Sequence, residues 1–195
     1  MLQTYAQQNA VTQVRISPKP KTIGEVAAGF FDFESNPNFY YPGVMLNHRE
    51  SYECDYFPIA EDVIHANPRV KTVGITLDNY IKRERDDGSF QDIVVKDILK
   101  LEDSGVIFFP KFSQWYEEIS FGVNPISHIR KYLDNMSEGG GIILYDVEND
   151  SILRQMANLE SLLCKGFGNE NVLKINSRKS GTTYFVRKGP DYVGL

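Results

Sequence analysis

The chain has 195 residues, 42% of them hydrophobic, which suffices for one sizeable core, so we expect a single domain. A net charge of -5 argues against a broadly basic nucleic-acid-binding surface, and two cysteines without metal-ligand spacing, Cys54 and Cys164, favour a reducing, cytoplasmic location. No apolar run reaches the roughly 18 residues of a membrane span, and the N-terminus lacks a secretory signal pattern, so we expect no membrane partner.

The N-terminal residues predict a flexible arm followed by a short helix. Residues 1 to 21 are polar and contain Pro18 and Pro20, which is typical of an extended segment. We therefore place the domain at residues 22 to 195. Thr22 and Glu25 have the spacing of a capping box and predict a helix from there to Phe31. Residues 35 to 42, with two prolines, predict a loop.

From Gly43 onward, strand-like and helix-like stretches alternate. The pattern predicts a first strand at residues 44 to 46, a helix at 59 to 66 and a second strand at 71 to 77, which ends at Asp78. A short helix at 80 to 85 and a third strand at 92 to 96 follow. Residues 105 to 109 are continuously apolar, which is typical of a strand buried on both faces.

The second half of the chain continues the alternation. Asn124 and Pro125 predict a helix start, and an apolar stripe at helical spacing follows, which ends at a glycine turn over residues 138 to 141. A fifth strand is predicted at 142 to 145, and another amphipathic helix after it. Strands at 172 to 175 and 182 to 187 predict a terminal hairpin. The two apolar stripes comprise Ile126, Ile129, Leu133 and Met136, and Ile152, Met156, Leu159 and Leu163.

This order predicts an α/β fold, because each parallel crossover needs a covering helix. The stretch ISHIRKYLDNMSEGGGIILY, residues 126 to 145, resembles the helix, glycine turn and fifth strand of the class I S-adenosylmethionine-dependent methyltransferases. The resemblance covers residues 22 to 188. It implies a Rossmann-like three-layer sandwich with a mostly parallel seven-stranded sheet that ends in an antiparallel hairpin, and S-adenosylmethionine as cofactor.

The resemblance also implies a cofactor site at the ends of the strands. Asp78 matches the acidic residue that accepts hydrogen bonds from the ribose hydroxyls, and the alternative is a strand-end aspartate that caps the next residues. Asp97 and Ile98 match positions that flank the adenine, and the alternative for Asp97 is an ordinary turn residue.

The segment NHRESYECD, residues 47 to 55, departs from the family pattern of an acidic residue and a glycine-rich turn. Side chains at these positions obstruct a close backbone approach to the cofactor. Either side chains such as Asn47 and Glu50 hold the cofactor, or no cofactor binds. Both alternatives stay open at this point.

The fourth strand ends in FFPKFSQWY, residues 108 to 116, at the edge where open α/β sheets bind ligands. We count Phe109 among the cofactor-binding residues. The segment lacks the polar residue with which amino methyltransferases hold a target nitrogen, so Lys111 is the candidate catalytic residue, as a base or to orient a hydroxyl. The alternative is a surface lysine. Trp115 and Tyr116 predict an aromatic platform or a cover over the sheet edge.

The three histidines have no metal-ligand spacing, so we expect no metal site. Two functions of different classes remain. The first is a methyltransferase with an atypical cofactor loop and an unknown acceptor. The second is a catalytically inactive methyltransferase-like module that binds or assembles with a protein partner. Nucleic acid is a less favoured partner, because the basic residues around Arg178 and Arg187 stand on an acidic protein.

Overall fold

The computed structural model describes residues 22–42, 56–76, 92–95, 101, 104–109, 125–146, 158–177 and 181–193. Residues 1–21 lie outside them, so the division into an arm and a domain of residues 22 to 195 stays a prediction.

The described residues form four α-helices, one 3-10 turn and seven strands. The helices are α1 (Ile23–Phe30), α2 (Tyr56–Ala66), α3 (Pro125–Asp134), α4 (Leu159–Phe167) and a 3-10 turn at Asn169–Asn171. The strands are β1 (Asn38–Pro42), β2 (Lys71–Thr76), β3 (Asp92–Val95), β4 (Gly105–Phe109), β5 (Gly141–Asp146), β6 (Val172–Ser177) and β7 (Gly181–Arg187).

The seven described strands form one sheet in the order β3-β2-β1-β4-β5-β7-β6. Neighbouring strands from β3 to β5 pair in parallel, whereas β7 runs antiparallel to both β5 and β6. The predicted mostly parallel seven-stranded sheet with a terminal hairpin is confirmed. Strands β2 and β3 lie on one side of the neighbouring pair β1 and β4, and strands β5, β7 and β6 lie on the other side.

Two helical layers cover the sheet, as the three-layer prediction requires. Alternate strand residues point to opposite faces. Tyr41 and Phe108 belong to the core cluster that contains Ala27 of α1 and Val63 of α2. Tyr40 and Ile107 belong to the cluster on the other face, which contains residues of α3 and α4. All five residues of β4 are buried, in agreement with its continuously apolar sequence.

The first strand lies earlier in the sequence than predicted. Residues 35 to 42 predicted a loop and residues 44 to 46 the first strand, but β1 is Asn38–Pro42. Pro37 and Pro42 misled the prediction, since proline is tolerated before a strand and at its end, where no ladder donor is needed. The aromatic residues between them are enriched in strands and fill both cores. Residues 44 to 46 lie outside the described residues.

The predicted capping box, apolar stripe and glycine turn are confirmed. Thr22 Oγ1 accepts a hydrogen bond from Glu25 N at 3.1 Å, and Glu25 Oε2 accepts one from Thr22 N at 2.9 Å, which completes the capping box. The stripe Ile126, Ile129, Leu133 and Met136 is buried. Gly139 has φ of 81°, the left-handed conformation expected of a glycine turn.

Other element boundaries differ by a few residues. Helix α2 begins at Tyr56 rather than at residue 59, and α4 is described from Leu159, because residues 151–157 lie outside the described residues. The short helix predicted at 80 to 85 also lies outside them. None of the helices formed by the described residues combines the length and apolar character that a membrane crossing requires.

Candidate functional site

The strand order creates a topological switch point between β1 and β4. Open α/β sheets bind ligands in the crevice at such a point, beyond the carboxyl ends of the strands. Here the two strands that flank the crevice end at Pro42 and Phe109. Register pairs Asn38 with Gly105 and Tyr40 with Ile107, so both strands run toward the same edge.

Of the predicted cofactor and catalytic residues, Phe109 is the last residue of β4, and the others come after the ends of parallel strands in the sequence. Six of them lie outside the described residues: Asn47, Glu50, Asp78, Asp97, Ile98 and Lys111. The strand ends that precede them in sequence are Pro42 of β1, Thr76 of β2, Val95 of β3 and Phe109 of β4. These four ends lie at one edge of the sheet, since β1 to β4 are parallel neighbours. Their individual roles stay predictions.

The corrected position of β1 changes how the first loop is interpreted. The segment between β1 and α2 runs from residue 43 to residue 55, so its first residue is Gly43. The predicted strand at residues 44 to 46 would instead place this glycine before the strand. A glycine at the first position after a strand allows the tight turn and close backbone approach that a bulkier residue obstructs. The segment of residues 43 to 55 therefore contains one glycine, Gly43, which is its first residue.

Phe109 is the described member of the predicted site. It is the last residue of β4 and is buried, with its ring centroid 5.3 Å from that of Tyr132 on α3. The ring of His128 lies 6.0 Å from the same tyrosine. Burial, with a smaller effect from Lys131, lowers the pKa of His128, which favours a neutral imidazole. Packing fixes Phe109 directly beneath the edge, and its contact with a cofactor stays a prediction.

A row of aromatic residues lies beneath the same edge on the other face of the sheet. Tyr41, Phe108 and Tyr145 are each the penultimate residue of their strands, β1, β4 and β5. The Phe108 ring lies 5.7 Å from Tyr41 and 6.4 Å from Tyr145, and all three residues are buried. Sequence reasoning missed this row. The signal available was the aromatic content of residues 39 to 41, which the flanking prolines obscured. The three rings thus pack together directly below the carboxyl edge of the sheet.

A cavity of about 690 Å³ opens at the opposite, amino edge of the sheet, lined among others by Phe31, Asp32, Arg187 and Lys188. Its two cations are engaged in the fold. Arg187 donates to the Phe30 carbonyl oxygen at 3.2 Å, and Lys188 donates to the Met136 carbonyl oxygen at 2.6 Å. Hydrogen bonds from Ser35 lower the pKa of Asp32, which accepts from the backbone of its own turn. These polar groups therefore hold turns of the chain together.

Within the described ranges, no group of three or more histidine, cysteine, aspartate or glutamate residues is placed to hold a metal ion. Of the histidines, His65 lies in the last turn of α2 and His128 in α3, on separate helices, and His48 lies outside these ranges.

Two solved structures share the fold of this chain. The plantazolicin methyltransferase BpumL in complex with monoazolic desmethylPZN analog and SAH matches with a TM-score of 0.51 at 11% identity, over 86% of this chain and 82% of that chain. PigF with SAH matches with a TM-score of 0.51 at 15% identity, over 85% of this chain but only 61% of PigF. No protein-family model matches the chain, and no curated protein matches it in sequence. The fold is therefore that of the class I methyltransferases.

Proposed function

We propose that this protein is an S-adenosylmethionine-dependent methyltransferase whose cofactor binds at the carboxyl edge of the sheet, between β1 and β4. The observation that supports this most is the switch point itself. The strand order brings the ends of β1, β2, β3 and β4 to one edge, and a predicted cofactor or catalytic residue follows each of them. Both solved structures described above have SAH in their names, and SAH is what S-adenosylmethionine leaves after methyl transfer.

Each predicted residue suits a different part of the cofactor. The Asp78 carboxylate only accepts hydrogen bonds and so suits the two hydroxyls of the ribose. Asp97 and Ile98, after β3, flank the adenine, the aspartate as acceptor for its amino group and the isoleucine as apolar contact. Gly43 allows the backbone after β1 to approach the methionine part, and Asn47 and Glu50 supply the polar contacts there.

The acceptor side of the site follows β4. S-adenosylmethionine supplies an electrophilic methyl group, so the protein needs chiefly to align an acceptor nucleophile with it. In the proposal Lys111, two residues beyond Phe109, accepts the proton that a hydroxyl acceptor releases, or orients that hydroxyl. Phe109 closes the floor of the crevice.

A specific observation favours a second candidate, an inactive methyltransferase-like module that binds a protein partner. Strand β1 ends in Tyr41 and Pro42, where an acidic residue is expected, and Gly43 is the single glycine among residues 43 to 55. Bulky side chains in that segment, such as Tyr52, would fill the space that the cofactor needs. A filled crevice keeps the fold and loses the activity.

Calorimetric titration with S-adenosylmethionine and with S-adenosylhomocysteine tests the proposal. We expect micromolar affinity, about -8 kcal/mol, for at least one of the two. Asp78→Ala removes the ribose acceptor and should abolish measurable binding. Asp78→Asn keeps the size and one acceptor oxygen and should weaken it less.

Asp191→Ala is the matched control, because Asp191 is an exposed aspartate beyond β7, at the amino edge of the sheet, and its loss should leave the titration unchanged. If titration with millimolar cofactor releases no heat and the cofactor does not raise the thermal midpoint, the enzyme proposal is overturned and the inactive module is supported. Equal loss of binding in Asp78→Ala and Asp191→Ala would show that the effect is on folding and not on the ribose contact.

A further inference from the structure

A groove of about 530 Å³ lies at the amino edge of the sheet, between the turn that precedes β1 and the turn that precedes β2. Most of the residues that line this groove are apolar, and several of these are exposed or half-buried. The apolar lining residues are Phe33, Pro37, Ala66, Pro68 and Val70. The groove therefore presents apolar surface to a segment that covers it, at the edge opposite the proposed cofactor crevice.

The first described residues of the chain lie beside this groove. Thr22 is the N-cap of α1, and Gly24 follows it in the first turn of that helix. Gly24 N donates to Asp62 Oδ2 of α2 at 2.6 Å, and a Cβ at Gly24 would lie 3.0 Å from the Cβ of Ala66, which lines the groove. Residues 1 to 21 therefore join the described chain next to the groove.

The sequence that leads to Thr22 has an apolar side and a polar side. In VRISPKPK, residues 14 to 21, apolar and polar residues alternate strictly. An extended chain points alternate side chains in opposite directions, so all apolar residues of this stretch share one side. Proline favours such a backbone, because it fixes its own φ and disfavours the helical conformation of the residue before it. The apolar side comprises Val14, Ile16, Pro18 and Pro20, and the polar side comprises Arg15, Ser17, Lys19 and Lys21.

We propose that residues 14 to 20 of this chain dock in the groove of their own molecule, with their apolar side on the groove and their basic side in water. The six residues from Ile16 to Lys21 reach about 20 Å when extended, which exceeds the width of a groove of this volume. The charges of the exposed lining residues Glu34 and Arg69 cancel, so apolar contacts dominate the binding.

Two physical effects favour this occupant over a separate molecule. The prolines restrict the free segment to extended backbone, so docking costs little conformational entropy, as for other proline-rich segments that bind apolar grooves. Covalent attachment at Thr22 also gives the segment a high effective concentration beside the groove, so a weak contact is sufficient. The docked segment covers the apolar surface of both turns.

Paramagnetic broadening in NMR spectra of the full chain tests the docking. In a background of Cys54→Ser and Cys164→Ser, Ser17→Cys carries a nitroxide on the polar side of the segment, away from the proposed apolar contacts. We expect the amide signals of Glu34 and Arg69 in the groove to lose most of their intensity. The signals of β6, at the far end of the strand order, should keep theirs.

Two substitutions that add the same charge separate docking from a general effect on the segment. Ile16→Asp places a carboxylate on the apolar side and should restore the groove signals. Gln13→Asp, just before the alternating stretch, is the matched control and should leave them broadened. Pro68→Asp changes the groove instead of the segment and should also restore the signals, and its thermal midpoint verifies that it is folded.

Groove signals that keep their full intensity, or broadening that Ile16→Asp leaves unchanged, would overturn the docking. A mixture of nitroxide-labelled protein with isotope-labelled protein that lacks the nitroxide detects docking between molecules. Broadening of the groove signals in that mixture would overturn the proposal in favour of an exchange of the segment between copies. The cofactor titration of Ile16→Asp should match that of the wild type, because the groove and the crevice lie at opposite edges of the sheet. The two proposals can therefore fail separately.

Discussion

The Tyr192 hydroxyl lies 2.9 Å from Asp134 Oδ1 and 2.9 Å from the Arg130 carbonyl oxygen. The segment after β7 is thereby fastened to the last turns of α3. Lys188 strengthens the same contact, because its ammonium lies 5.1 Å from the Tyr192 ring centroid and donates to carbonyl oxygens at the end of α3. A cation at this position also compensates the negative end of the helix dipole.

Tyr192→Phe removes this hydroxyl and keeps the ring. We expect the free energy of unfolding to fall by about 1 kcal/mol, the net contribution of one such hydrogen bond. Urea unfolding measures the change. A double-mutant cycle with Asp134→Ala separates the pair from the effects of each single change. Additive losses in the cycle would show that the two side chains do not stabilise each other.

The pKa of the Tyr192 hydroxyl predicts that the folded state loses stability at alkaline pH. Burial, together with the hydrogen bond to Asp134, raises the pKa of Tyr192 above its ordinary value of 10.0. The folded state therefore holds this proton more tightly than the unfolded state. Its contribution is complete below about pH 10 and is lost as pH rises from there through the raised pKa.

Thermal midpoints between about pH 8 and about pH 11 measure this dependence. Burial also raises the pKa of Tyr184, so the wild-type midpoint should decline over the upper part of that range. The decline should be shallower in Tyr192→Phe, because this variant has one fewer tyrosine with a raised pKa. Equal slopes for the two proteins would contradict the prediction.

Replacement by alanine should have opposite effects on the free energy of unfolding at two glycines, Gly139 and Gly29. Gly139 has φ of 81°, and a Cβ there would lie 2.6 Å from the Asp32 Cβ, so Gly139→Ala should lose about 2 kcal/mol or more. Gly29 lies in α1 with no neighbouring atom within 4 Å of an added Cβ, so Gly29→Ala should gain about 0.5 kcal/mol from helix propensity. Chemical denaturation of both variants measures the pair. A tolerated Gly139→Ala would mean that the turn can adopt another conformation.

Asn36 is a buried link between two turns at the amino edge. Its Nδ2 donates to the Asp32 carbonyl oxygen at 3.0 Å and to the Glu138 carbonyl oxygen at 3.0 Å. Asn36→Leu keeps a similar volume but leaves these buried acceptors without their donor, so we expect a loss of about 2 kcal/mol. The exposed control Glu34→Ala should change stability by less than about 0.5 kcal/mol. Equal unfolding midpoints for Asn36→Leu and Glu34→Ala would contradict this role.

Local sequence patterns predicted most of the described elements because those patterns act over short distances. The capping box at Thr22, the apolar stripe of α3 and the glycine turn at Gly139 each depend on neighbours within a few residues. Strand β1 was predicted in the wrong place because its flanking prolines are local turn signals, whereas its place at the centre of the sheet depends on β2 and β4. Pairing between distant segments overrode the local signal there.

By itself, the sequence determined the fold class, since the alternation of buried strands and amphipathic helices allows few arrangements other than a layered α/β sheet. It also determined which residues follow the ends of β2, β3 and β4, whose ends it predicted to within one residue. Only the tertiary structure decided that β1 and β4 are neighbours, which creates the crevice, and that Tyr41, Phe108 and Tyr145 form one row beneath it. Contacts between strands far apart in sequence depend on the geometry of the whole sheet, which no local window of residues encodes.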